Sequence, residues 1–152
     1  GARDFDRELN DRGRTDLVKI SYALKENKFF PAQILCSSAE RTRQTLDHII
    51  DAIDPSPDVT FTEKLYSSGL DEYLSLIQSV ESSKSLMIIG HNPMCGTLAS
   101  SLSGDGRPED LEKIAYKYPT STVSVIDFDI ISWADIRKGA GKLEACLIPS
   151  EI

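Results

Sequence analysis

Along most of its 152 residues the chain alternates between apolar residues at helical spacing and short, nearly unbroken apolar runs. A sheet of largely parallel strands requires that alternation, because each strand must return to the next through a helix crossing one face. Leu17, Ile20 and Leu24 recur at helical spacing between Asp11 and Asn27, with Asn10 as the predicted N-cap. Residues 33–36 then read as a buried strand. Ser37 to Glu40 fits a Ser-x-x-Glu capping box, opening a helix striped by Leu46, Ile49, Ile50 and Ile53 and stopped by Asp54-Pro55-Ser56-Pro57. Residues 59–62 alternate as a strand, and Leu70, Tyr73, Leu74 and Ile77 mark another amphipathic helix.

Residues 85–89 are almost continuously apolar, which predicts a central parallel strand covered on both faces. Asn92-Pro93 offers an N-cap and a first-turn proline to a helix striped by Cys95, Leu98, Ala99 and Leu102, with Gly104-Asp105-Gly106 as its stop. Residues 123–128 read as a strand. Residues 131–136 and 143–148 are predicted to pair as an antiparallel hairpin through Gly139-Ala140-Gly141. The expectation is one domain over residues 1–152, a three-layer α/β/α fold around a mostly parallel central sheet.

Charge narrows the partners. Seventeen Lys and Arg against 24 Asp and Glu leave a net charge of −7, the wrong sign for a protein that gains affinity by neutralising phosphates of nucleic acid or an anionic membrane. No apolar run approaches the roughly 20 residues that span a bilayer, so a cytoplasmic protein is expected. Cys36, Cys95 and Cys146 are odd in number and lie in apolar stretches, as free thiols in a reducing compartment would. With no Cys-x-x-Cys and only two histidines, no metal site and no cofactor are expected.

In an open α/β sheet, ligands bind beyond the carboxyl ends of the strands, where helix N-termini aim free N–H groups outward. Two segments carry unusual residues to that place. Ser37-Ser38-Ala39-Glu40-Arg41 runs from a strand into a helix, and Gly90-His91-Asn92-Pro93 does the same later. Two serines and a first-turn Arg make an anion cradle in which a guanidinium can add a paired, charge-assisted contact. For Arg41 the plain alternative is a solvated helix residue, and for Ser37 a helix cap. His48 falls off the apolar stripe of its helix and reads as surface. A cysteine phosphatase is excluded, because Cys36 to Arg41 is Cys-x4-Arg where a phosphate-wrapping loop needs one residue more. A receiver-like domain would need acidic strand ends for Mg²⁺, and these carry Ser and His.

The ordered set of motifs resembles the histidine phosphatase superfamily, with the phosphoglycerate-mutase-like fold, and within it the SixA-like branch of phosphohistidine phosphatases. Asp6-Arg7-Glu8-Leu9-Asn10-Asp11-Arg12-Gly13 is similar to the stretch that opens that branch's first helix. Residues 37–45 match its "S-x-x-x-R-x-x-Q-T" pattern, Leu65-Tyr66 its "L-Y" segment, and Gly90-His91-Asn92-Pro93 its "G-H-N-P" turn. The resemblance implies a metal-independent, two-step phosphoryl transfer through a phosphohistidine intermediate. Arg41 would be a phosphate-binding arginine and His91 the second histidine, with Ser37, Ser38, Asn92 and Arg7 around the substrate and Asp71 or Glu72 as a possible acid. The substrate would be a phosphorylated protein or a small phosphate ester; the resemblance leaves the oligomeric state open, with a monomer favoured. The family's nucleophilic histidine follows an Arg on a first strand, and residues 1–152 contain no Arg-His pair. That strand is therefore expected upstream of residue 1. The competing expectation is a phosphate- or phosphopeptide-binding module that keeps the pocket without the nucleophile.

Overall fold

A computed structural model describes residues 3–152. Helix α1 (Asp11–Asn27) begins where predicted, and Asn10 caps it by accepting from the Gly13 amide at 2.8 Å. Its C-terminal cap, Lys28, is left-handed at φ 56°, and its N–H satisfies the carbonyls of Leu24 and Lys25. Strand β1 (Gln33–Ser37) leads into α2 (Glu40–Ile49), and β2 (Asp58–Thr62) is followed by a short α3 (Lys64–Ser67) and α4 (Leu70–Gln78). Then come β3 (Leu86–Ile89), α5 (Met94–Leu102), β4 (Ser103–Gly106), α6 (Pro108–Tyr116), β5 (Val123–Asp127) and β6 (Gly141–Leu147).

The strands form two three-stranded sheets. In the first, β1 lies between β2 and β3, all parallel; Cys36 stands opposite both Phe61 and Ile89, so the three carboxyl ends are level. In the second, β6 lies between β4, parallel to it, and β5, antiparallel. The pleat of β1 divides the core. Ile34 and Cys36 face α1 and α2, packing with Leu17, Ile20, Leu24, Leu46, Ile49 and Ile53. Leu35 faces the opposite layer, with Tyr73 and Ile77 of α4 and Leu98 and Leu102 of α5. The α/β/α layering read from the sequence is the observed one.

Several local expectations are overturned. The capping box does not form: the N-cap of α2 is Ala39, with no side-chain cap, because the Ser37 hydroxyl turns toward His91. Strand β3 borders its sheet, with Leu86, Met87 and Ile88 only half-buried, and among the described residues no strand pairs with its second edge. The buried central strand is β1, whose mixed Gln-Ile-Leu-Cys-Ser sequence gives a weaker signal. Asn92 does not cap α5; its amide donates to the Tyr118 carbonyl, and Pro93 holds the N-cap position. Gly104-Asp105-Gly106 belongs to β4, where glycine is needed because a Cβ on Gly104 would collide with the Gly139 carbonyl. Finally, β6 pairs with β5 rather than with residues 131–136, which make only a 3-10 turn over Trp133–Asp135. Trp133 instead donates its indole N–H to the Ser83 carbonyl, tying the loop to the start of β3.

Candidate functional site

The register of β1 against β3 places Ser37 beside the Gly90-His91 turn. His91 Nε2 lies 2.7 Å from Ser37 Oγ, and Nδ1 lies 3.2 Å from an Arg41 guanidinium nitrogen. A guanidinium only donates, so Nδ1 must be the acceptor, which puts the imidazole proton on Nε2, donating to Ser37. Burial, reinforced by the Arg41 charge and partly opposed by Asp4, lowers the His91 pKa from 6.5 to about 4. His91 is therefore a neutral imidazole at physiological pH with a defined tautomer.

Arg41 reaches this point because α2 begins immediately beyond β1. Thr42 fixes that start by donating its hydroxyl to the carbonyls of Ser37 and Ala39, both at 2.9 Å, while Thr45 donates to the Arg41 carbonyl. Gln44 ties the same helix to the approach to α1, its Oε1 accepting from the Leu9 amide at 2.8 Å. The neighbouring Arg43 is committed elsewhere: it donates to the Ser38 carbonyl and stacks 4.1 Å over Phe61. Arg41 alone of this pair turns to His91.

Among the residues expected at a site, the structure brings Arg41, His91 and Ser37 into direct contact. Ser38, half-buried, closes the end of β1, its amide donating to the Thr62 carbonyl. Asn92 is exposed next to His91. Arg7 is one residue removed: it pairs at 3.2 Å with Asp4, which in turn pairs with Arg41 at 3.2 Å. Asp71 and Glu72 are exposed in the first turn of α4, where Glu72 accepts from Ser68, and among the described residues neither bonds to Arg41 or His91. His48 is exposed on α2. The three cysteines are free, with Cys36 buried beneath the site. No group of three or more His, Cys, Asp or Glu among the described residues could hold a metal ion. No described helix is long and apolar enough to cross a membrane.

Two contributors escaped the sequence reading. A 3-10 turn over Asp4–Asp6 lies across the site, and Asp4 Oδ2 accepts from Arg41 at 3.2 Å and from the Tyr66 hydroxyl at 2.8 Å. Tyr66 sets its ring edge-on to both Phe5 and His91, with centroids 5.0 and 5.2 Å away. Tyr66 lies in a motif already noted, but nothing in a polar Arg-Asp-Phe-Asp stretch distinguishes Asp4.

The fold has close counterparts. A structure assigned as the phosphohistidine phosphatase SixA of Agrobacterium tumefaciens superposes with a TM-score of 0.78 at 28% identity, over 98% of this chain and 88% of that one. The chain belongs to the histidine phosphatase superfamily. The likeness is to its SixA branch, and a second structure, assigned as SixA of Nakamurella multipartitia, shares the fold with a TM-score of 0.81 at 24% identity. An uncharacterized protein of Mycobacterium tuberculosis is 32% identical over 98% of this chain and 93% of its own length. No family model matches the sequence. In this chain Arg41 and His91 meet just beyond the carboxyl ends of β1 and β3.

Proposed function

We propose that this chain is a metal-independent phosphatase that works through a phosphohistidine intermediate, on phosphohistidine or small phosphate monoesters. The observation that carries the reading is the contact of Arg41 with His91 above the level ends of β1 and β3. A phosphoryl group there would meet a fixed cation and an imidazole whose protonation is already defined. Both favour a transition state in which charge spreads over the equatorial oxygens. In the first step a nucleophilic imidazole nitrogen bonds to phosphorus as the bond to the leaving group breaks. In the second, water displaces that imidazole and releases phosphate. Arg41 holds oxygens in both steps. His91, neutral with its Nε2 proton parked on Ser37, can turn that N–H to the phosphoryl group at little electrostatic cost.

Of the two histidines of residues 1–152, His91 lines the pocket as the phosphate-binding imidazole and His48 is exposed on α2. The same Arg41–His91 contact also supports a second reading, a phosphate- or phosphopeptide-binding module of the same fold. Turnover separates the two. The purified protein should hydrolyse phosphohistidine and aryl phosphates much faster than glycerol phosphate, because imidazole and phenolate leave more readily than an alkoxide. Replacing His91 with Ala should lower turnover by roughly 10²–10⁴-fold with the fold intact. Phosphate binding without any turnover would establish the binding module instead, and comparable rates on glycerol phosphate would refute a site without a dedicated acid.

A further inference from the structure

Asp4 engages the donors that surround the site. Its carboxylate is exposed, yet it is held from three sides: by Arg41 and Tyr66 on Oδ2 and by Arg7 on Oδ1. Arg41 also donates to the Asp4 backbone carbonyl at 2.8 Å. Two guanidinium N–H groups on the side facing the site are thus spent on one residue. These are the donors that a bidentate phosphoryl contact would use.

We propose that Asp4 is a specificity-determining residue, a tethered carboxylate that occupies the anion subsite of Arg41 and Tyr66 and that a phosphoryl group must displace. This rests on the reading of Arg41 as the phosphate ligand. The chemistry of the exchange favours phosphoryl ligands. A carboxylate offers one negative charge and two oxygens, whereas a phosphoryl group at neutral pH carries nearly two charges and three oxygens. A free carboxylate, such as a side chain of a neighbouring protein, gains nothing over the one already tethered and is turned away. The displaced Asp4 is not left unpaired, because Arg7 sits one helical turn along the same segment and keeps its partner. The exchange is also cheap enough to be reversible, since the Asp4–Arg41 pair is partly open to solvent, with side chains 49% and 22% exposed.

Calorimetric titration of inorganic phosphate into the purified protein tests this. Asp4→Asn, which keeps the shape and the Tyr66 contact, should tighten phosphate binding about fivefold, the upper range for releasing a surface ion pair. Asp4→Ala should tighten it at least as much. Asp6→Asn removes an equal charge two residues away, from a carboxylate paired with Arg3, and should leave the affinity unchanged. If Asp6→Asn tightens binding as much as Asp4→Asn, net charge alone is at work and the proposal is overturned. It is overturned as well if wild type binds phosphate, Arg41→Gln abolishes that binding, and neither Asp4 variant binds more tightly. If wild type and both Asp4 variants bind no phosphate, the Arg41 pocket is refuted, and Asp4's role falls with it.

Discussion

Lowering the pH from 7 to 4.5 should destabilise this protein through one identifiable side chain. His91 has a pKa of about 4 in the fold, set first by burial and then by the Arg41 charge, against 6.5 for an unfolded histidine. The unfolded chain therefore binds a proton between those values while the native state does not. Stability is fully present above pH 6.5 and is lost as the pH falls toward 4. The whole shift corresponds to about 3.4 kcal/mol at 1.36 kcal/mol per unit. His91 is only half-buried, so solvent screening leaves roughly half of that, and the span from pH 7 to 4.5 should cost about 1 kcal/mol. Urea denaturation of wild type and of His91→Gln at the two pH values isolates the effect, since the variant cannot titrate there. The difference between the two proteins should close as the pH falls. Equal pH dependence in both would refute the assignment of His91 as a buried neutral imidazole. The same cause can be read in the ring's own titration by NMR. Arg41→Gln should raise the His91 pKa, and Asp4→Asn should lower it further, because Asp4 opposes the shift.

Leu24, fully buried between α1 and the first sheet, should cost about 2–5 kcal/mol when replaced by Ala, measured by urea denaturation. Gly104→Ala should lower the thermal midpoint sharply, since the new Cβ would collide with the Gly139 carbonyl, while Gly69→Ala, with open space around it, should leave it nearly unchanged. Phosphatase turnover should be insensitive to EDTA, because the proposed route stabilises charge with Arg41 and His91. Loss of activity on chelation, restored by a divalent cation, would refute that route.

Much of the architecture could be read from apolar spacing alone. Helix α1 begins and ends where Leu17, Ile20, Leu24 and the Asn10 cap require. Arg41 and His91 were legible because each sits just past a strand, where position carries meaning independent of residue type. Two expected caps failed for one cause: a side chain capable of a local bond chose a distant partner. Ser37 prefers His91 to its own helix, and Asn92 prefers the Tyr118 carbonyl. Pairing also outran periodicity. Residues 123–128 and 131–136 both read as strands, but β6 can hydrogen-bond only one antiparallel neighbour on that edge, and β5 takes it. Asp4 was invisible because its importance lies in what it touches across 37 residues of sequence.

The missing cap at Ala39 bears on motion as well as on stability. Helix α1 starts from an Asn10 side-chain bond, whereas α2 starts with none, and a side-chain cap is worth about 1 kcal/mol. In hydrogen-exchange terms, the first amides of α2 should open at lower free energy than those of α1. The residue riding on that softer turn is Arg41. Under the proposed function, that places the phosphate-binding guanidinium on the turn of α2 that opens first.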